Sequence, residues 1–214
     1  MQQVDHEETT AQLQHWTGEF GTGYRERNDF APWKMPLGVE AYRRMIGGLE
    51  VRSILEVGCN IGLNLSYINE LFGGVVKLHG VEPNGEALEE LKARPGIELA
   101  GAWNTSAFDV PLDDGAIDLV LTSGVLIHIA PGDLPRATDE IVRVASRYVL
   151  CVEYFSHRPE EIPYHGQQGL LYKRDFGKFY KDRYPQLTCV DYGFLWQEEF
   201  RIFDNLNWWL FEKR

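Results

Sequence analysis

Apolar residues in this 214-residue chain gather in short continuous runs, separated by stretches of mixed polarity. The densest runs are 53–57 (SILEV), 75–81 (VVKLHGV), 97–102 (IELAGA), 117–122 (IDLVLT) and 147–154 (RYVLCVEY). Runs this short and this continuously apolar read as strands buried on both faces. Between them, 63–72, 86–94 and 133–146 carry apolar residues three and four apart, the spacing of one helix face. A helix over 35–49 precedes the first strand. Farther upstream Trp16, Phe20 and Tyr24 recur at steps of four, with Gly18, Gly21 and Gly23 interrupting them, which predicts a short helix breaking into a loop. Near the other end, 188–196 and 207–211 are aromatic-rich, with only a short turn region between them. No crossover helix fits there, so the two predict an antiparallel hairpin. The expected architecture is α/β: a mostly parallel, Rossmann-like, seven-stranded sheet with helices on both faces and an antiparallel C-terminal hairpin. Residues 161–180 stand apart, mixing loop chemistry (Pro163, Gly166, Gly169) with charged and aromatic side chains.

Composition narrows the partners. Acidic residues outnumber basic ones 32 to 21, for a net charge of −11. Nucleic-acid binding and attraction to an anionic membrane surface both call for the opposite balance. No apolar run approaches the roughly 18 residues of a membrane span, and the first residues, MQQVDHEETTAQ, are acidic and polar, unlike a signal peptide. Cys59, Cys151 and Cys189 are odd in number and lack metal-ligand spacing, so they read as reduced thiols of a cytoplasmic protein, with no metal site.

The first strand runs into LEVGCNIGL (55–63), an apolar strand, a glycine turn and a helix start. Gly58 lets the backbone turn and approach a ligand, and Gly62 lets helix and strand pack closely. Glu82, in GVEPN at the end of the second strand, is placed to accept hydrogen bonds from both hydroxyls of a ribose. Dinucleotide sites require G-x-G-x-x-G, and here Asn60 and Leu63 occupy the second and third glycine positions. That spacing argues against a nicotinamide-dependent oxidoreductase.

The pattern present, E-x-G-x-x-x-G from Glu56 to Gly62, resembles motif I of class I S-adenosylmethionine-dependent methyltransferases. The resemblance implies that Glu56, Gly58, Cys59, Asn60 and Gly62 wrap the methionine and sugar of that cofactor, with Glu82 and Pro83 beside the ribose. It places adenine against AGAWNTSAFDVP (100–111), with Thr105, Ser106 and Ala107 bonding and Trp103 either stacking on the purine or packing in the core. The methionine amino group then meets the backbone of Thr122, Ser123 and Gly124. Further stretches are similar to the pseudaminic acid biosynthesis-associated methylase family: WTGEFGTGYRERND (16–29), SGVLIHI (123–129), EYF (153–155), EIPYHGQQGLLYKRDF (161–176), VDYGF (190–194) and LNWWLFEK (206–213). The implied acceptor is a small polar molecule, a sugar or sugar acid of nonulosonic acid metabolism, methylated on a hydroxyl or amine.

On this reading the chain is one domain: a helical lid over 1–50, a cofactor-binding half over 51–155, and an acceptor-side segment with the hairpin over 156–214. His128, shortly after the fourth strand, is the candidate general base, with a rate rising through about pH 6–7 as for an ordinary histidine. The competing reading is a structural histidine bridging the next loop. Glu153 interrupts an apolar strand and is the second candidate. Tyr154, Tyr164, His165, Lys173 and Arg174 are expected to form the acceptor wall, Arg174 offering a bidentate grip. Trp208 and Trp209 read as packing. The Trp16, Phe20 and Tyr24 face would close over the cofactor, with Arg25 or Arg27 on its carboxylate. The alternative to an enzyme is a non-catalytic partner protein that binds S-adenosylmethionine. Oligomeric state is not legible.

Overall fold

The computed structural model describes residues 10–18, 30–164, 166 and 168–214. Seven strands make the central sheet: β1 (Ser53–Val57), β2 (Lys77–Val81), β3 (Leu99–Trp103), β4 (Ile117–Ser123), β5 (Ala145–Glu153), β8 (Leu187–Leu195) and β9 (Leu206–Lys213). A small antiparallel pair, β6 (Glu160–Glu161) with β7 (Tyr172–Lys173), lies apart. The order across the sheet is β3-β2-β1-β4-β5-β9-β8. The first five strands are parallel, and β9 runs antiparallel to both β5 and β8. This is the Rossmann-like methyltransferase fold that the hydrophobic pattern and motif I imply.

Burial on both faces explains the apolar runs. Ile54, Leu55 and Val57 of β1, Leu119, Val120 and Leu121 of β4, and the stretch from Val149 to Val152 of β5 are all shut off from solvent. Helices α2 (Met35–Ile46), α3 (Leu63–Leu71) and α4 (Gly85–Lys92) cover one face, and α5 (Leu134–Val144) and α6 (Phe176–Arg183) the other. Their starts follow from local chemistry. The Asn84 side chain accepts from the Ala87 N–H to open α4, and Asp175 accepts from Lys178 N–H to open α6.

The boundaries differ from the sequence reading where packing decides them. Helix α2 ends at Ile46, ahead of the Gly47–Gly48 turn, rather than at 49. Helix α5 stops at Val144, and β5 begins at once with Ala145 rather than at 147. Segment 161–180 runs into a helix that its loop chemistry did not predict, α6, which continues to Arg183 and whose Gly177 faces Trp209 so closely that any Cβ would overlap the indole. The Asp175 cap opens that element, and long-range packing against Trp209 seats it. The hairpin forms as expected, but a four-residue helix, α7 (Gln197–Phe200), sits in its connector. The N-terminal helix α1 (Ala11–Thr17) opens on Thr10, which accepts from Leu13 N–H, and ends at Gly18. Phe20 and Tyr24 lie outside the described residues.

Strand order reverses between β1 and β4, because the chain builds outward to β2 and β3 before returning on the other side. In open α/β sheets the crevice for a ligand forms beyond the carboxyl ends at that point. A cavity of about 520 Å³ lies there.

Candidate functional site

Three adjacent strand ends build the floor. After β1 the chain turns through Gly58 (φ 78°), Asn60 (φ 46°) and Gly62 (φ 77°), all left-handed. Gly58 and Cys59 donate their N–H groups to Val81 O at the end of β2, at 2.7 and 3.1 Å. Asn60 N–H donates to Glu82 Oε2 and Asn84 N–H to Glu82 Oε1, both at 2.8 Å. Glu82 therefore ties the β1 loop to the start of α4. Each carboxylate oxygen keeps a second lone pair, so the side chain still has acceptor capacity toward the cavity it lines. Burial raises its pKa, and the two N–H bonds oppose that rise.

Glu56 is the second buried carboxyl of the floor, 1% exposed. Asn64 of α3 donates to its Oε1 at 2.7 Å, while Oε2 has no partner. Burial first, and then the neighbouring Glu82 charge, push its pKa up to about 8. Glu56 lines the cavity, and a ligand donor reaching this buried carboxyl would supply the partner its Oε2 lacks among the described residues.

His128 closes the opposite wall. It sits in the 3-10 turn 126–128, and its Nδ1 lies 2.8 Å from Leu170 O. A carbonyl only accepts, so Nδ1 carries the proton and Nε2 keeps its lone pair. Trp16 meets the ring edge-on at 4.5 Å between centroids, and Tyr164 tilts against it at 5.4 Å. Burial depresses its pKa to about 4. The imidazole is neutral across the physiological range, which corrects the expected titration near 6–7. Both the lining position and the loop-bridging bond to Leu170 are present.

Of the cofactor candidates, Glu56, Gly58, Cys59, Asn60, Glu82, Pro83, Ser106 and Ser123 line the cavity, as do Ala107 and Gly124. Gly62 does not: Leu91 of α4 packs against it, so that any Cβ would overlap that side chain. Trp103 is corrected as well. Its ring covers Gly101 and stacks at 4° on His79, 6.1 Å away, outside the cavity. Thr105 donates to Asp109 O within its own loop, and Thr122 is buried beneath the floor; neither lines the cavity.

Glu153 requires the largest correction. It is fully buried and does not line the cavity. Its Oε1 accepts from Val125 and Leu126 N–H, both at 3.0 Å, and Oε2 from Ile127 N–H at 3.4 Å. It is the cap of the 3-10 turn that presents His128, with a pKa raised to about 7 by burial against those bonds. Among acceptor candidates, Tyr154 and Tyr164 line the cavity. Lys173 lies over the Tyr154 ring and Arg174 over Phe179, and neither lines it. Trp208 and Trp209 are packing residues, fitted against Gly193 and Gly177. Tyr24, Arg25, Arg27 and His165 lie outside the described residues.

Three groups escaped the sequence reading. Thr10, which caps α1, and Gln12 and Leu13 within it line the cavity, α1 being tethered by Gln12 Nε2 to Gly169 O and by Asn84 Nδ2 to Trp16 O. Asn64 and Tyr67 project from α3, where the apolar stripe had marked only core. The β8–β9 connector supplies Gln197, Arg201, Ile202, Phe203 and Asp204. Its antiparallel return leaves this connector on the same rim as the ends of β1 and β4, which local patterning does not reveal. Among the described residues no three His, Cys, Asp or Glu side chains gather as a metal ion would require, and no helix is long and apolar enough to cross a membrane.

Comparisons with known proteins agree with this geometry. A family model described as a methyltransferase domain matches residues 54–147. Ajmaline N-methyltransferase of Rauvolfia serpentina is 31% identical over 97 residues, 44% of this chain and 33% of that enzyme. The chain spans about a third of the length of the curated relatives it matches. A S-adenosylmethionine-dependent methyltransferase of Leishmania major superposes with TM-score 0.70 at 17% identity, over 94% of this chain and 81% of its own. The 1,6-didemethyltoxoflavin-N1-methyltransferase of Burkholderia thailandensis, holding its substrate and S-adenosylhomocysteine, superposes with TM-score 0.69 at 16% identity, over 98% and 93%.

Proposed function

We propose that the protein is a S-adenosylmethionine-dependent methyltransferase acting on a small polar acceptor, a sugar or sugar acid, in the cytoplasm. The observation that carries the reading is the cavity over the carboxyl ends of β1, β2 and β4, with Glu82 and Glu56, whose buried Oε2 lacks a partner among the described residues, both lining it. The residues fit the cofactor. Glu82 would take the ribose hydroxyls, Ser106, Ala107 and Phe108 the adenine, Ser123 and Gly124 the methionine backbone, and Glu56 Oε2 its ammonium. The bound cofactor would supply an electrophilic methyl on a sulfonium. The polypeptide's part is to hold the acceptor in line with it and keep water out.

His128 would accept a hydrogen bond from the acceptor's O–H or N–H through Nε2. A pKa of about 4 makes it a weak proton store, so its main contribution is orientation. Helix α1, with Trp16 against His128, would act as the lid. The acceptor class rests on the resemblance of stretches such as 161–176 and 206–213 to the pseudaminic acid biosynthesis-associated methylases. The relatives' names support a small-molecule acceptor, ajmaline and a toxoflavin precursor both being small molecules.

Calorimetry with S-adenosylmethionine, S-adenosylhomocysteine and NAD tests the cofactor, and mass analysis of product from labelled S-adenosylmethionine tests the acceptor. Binding of the first two with none of NAD is expected. Tight NAD binding, or no binding of the adenosyl ligands, would refute the reading.

A further inference from the structure

Only two residues other than glycine have positive φ among the described residues, Asn60 at 46° and Arg201 at 51°, and both line the cavity. Strained backbone of this kind persists where surrounding structure over-determines it, and it clusters at functional sites. Asn60 belongs to the β1 loop. Arg201 ends α7, at a helix-terminal position where glycine is the usual residue because it has no Cβ to strain.

The connector that carries Arg201 is held from several sides. Asp204 Oδ2 accepts a hydrogen bond from Tyr154 O–H, and Asn205 Oδ1 accepts from Gln197 N–H at 3.0 Å. Phe200 is buried beneath the Arg44 guanidinium, which also grips Glu199 with two hydrogen bonds. Arg201 N–H donates to Gln197 O at 2.8 Å. Two of the connector's carboxylates, Glu199 and Asp204, are thus engaged elsewhere, and Arg201 has no ion-pair partner among the described residues. It is also the only lysine or arginine among the described residues lining the cavity, in a chain of net charge −11 whose other titratable cavity groups include Glu56, Glu82 and Asp204. An arginine at a position that favours glycine, exposed on the rim of the cavity and without an ion-pair partner among the described residues, is placed to meet an anionic ligand there.

We propose that Arg201 is the anion-reading residue of the cavity, holding a carboxylate or phosphate of a bound small molecule. The inference rests on the methyltransferase reading for which molecules enter. It applies to two sources of that group, the methionine carboxylate of the cofactor and an acid group on the acceptor. Strand β9 lies four positions from β2, about 19 Å at ordinary strand spacing, so the connector stands far from Glu82 and from any adenosine bound there.

The test compares wild type with Arg201→Gln and Arg201→Gly by calorimetry. The ligands are S-adenosylhomocysteine, 5′-methylthioadenosine (which lacks the amino-acid half) and, on protein saturated with S-adenosylhomocysteine, inorganic phosphate and N-acetylneuraminate beside its methyl ester. Methylthioadenosine should bind all three proteins alike. Arg201→Gln should weaken one charged ligand by about 10- to 100-fold, the loss of a charge-assisted pair. Loss on S-adenosylhomocysteine identifies the cofactor's carboxylate as the source. Loss on phosphate or N-acetylneuraminate, with the ester unaffected, identifies the acceptor's acid. Arg201→Gly should show the same loss with a Tm at or above wild type, because glycine relieves the left-handed backbone. Equal binding of every charged ligand by wild type and Arg201→Gln overturns the proposal. Failure of wild type to bind either adenosyl ligand overturns the methyltransferase reading instead, and the phosphate and N-acetylneuraminate titrations on the cofactor-free protein then decide Arg201 separately.

Discussion

A carboxylate at the end of β2 was readable from its position alone, but its two backbone bonds were not, since they join it to Asn60 and Asn84 through the fold of the loop. Those bonds change what a substitution does. Glu82→Gln keeps the shape but offers one acceptor oxygen where two N–H groups need partners. It should weaken S-adenosylhomocysteine binding by roughly 1–3 kcal/mol and lower Tm as well, measured by calorimetry and thermal melting. Unchanged affinity would remove Glu82 from the ribose. His128 gives the complementary case. With a pKa near 4, the wild-type rate should show no histidine limb between pH 5.5 and 8. His128→Ala should reduce turnover about 10- to 100-fold, at or below the least that general bases supply, with cofactor affinity unchanged. His128→Asn, whose amide N–H can replace Nδ1 toward Leu170, should retain the turn's stability without the activity. A rate that climbs through pH 6–7 would mean the ring is more hydrated than its packing by Trp16 and Tyr164 implies.

At the scale of elements, the β1 loop and the turn after β4 are built against each other. A Cβ on Gly58 would stand 2.5 Å from Val125 Cγ2 and would also need a left-handed backbone. Gly58→Ala should therefore lower stability by about 1–3 kcal/mol and impair cofactor binding. Adding Val125→Ala should restore the steric part of that loss and leave the backbone part, a coupling that a double-mutant cycle in urea reads directly. Full additivity of the two changes would show that the loops do not touch in solution. Glu153 acts on the same turn from beneath. Glu153→Gln presents N–H₂ toward at least one of three N–H donors, so a cost of about 1–3 kcal/mol and a Tm lower by roughly 3–10 °C are expected. Turnover measured well below Tm should stay close to wild type. A hundredfold loss in a folded variant would restore Glu153 as a base. These two elements also mark the limit of the sequence. Continuous apolar runs announce β1, β4 and β5 because burial on both faces leaves no room for polar residues. An odd carboxyl in β5 announces that something special happens at Glu153, but its partners are 26 to 28 residues away and belong to a turn with no periodicity of its own. Helix α6 and the Arg201 connector were hidden for the same reason, being defined by Trp209 and Tyr154 across the fold. Trp103 misled because an aromatic beside a motif fits stacking on purine and packing over Gly101 equally well.

For the whole molecule, the buried titratable groups set a stability profile that the cofactor should reshape. Glu56, pushed up to about 8, and Glu153, pushed up to about 7, hold protons in the native state that the unfolded chain releases above its ordinary value of 4.5. Their contribution is complete below about pH 4.5 and is lost as pH rises through 7 and 8. His128 works in the other direction. Above its ordinary 6.5 the ring is neutral in both states, and as pH falls from there toward 4 the unfolded chain takes up a proton that the native state refuses. Two raised carboxyls outweigh one depressed histidine, so the stability these groups give the cofactor-free protein should fall steadily from about pH 5 upward, with a Tm lower at pH 8, where the net charge of −11 adds repulsion, than at pH 6. A bound ammonium at Glu56 Oε2 would take the place of the proton held there. Binding of S-adenosylhomocysteine should then release close to one proton near pH 7, seen as a dependence of the calorimetric heat on buffer ionisation enthalpy. Its affinity should also tighten from pH 6 to 8. The rise in Tm on adding the ligand should be larger at pH 8 than at pH 6, although the free protein is weaker there. Glu56→Gln should abolish the proton release and flatten the affinity profile. A wild-type affinity that is flat from pH 6 to 8 would mean that Glu56 stays protonated with the ligand bound, and the methionine ammonium would have to be assigned to the backbone after β4 alone.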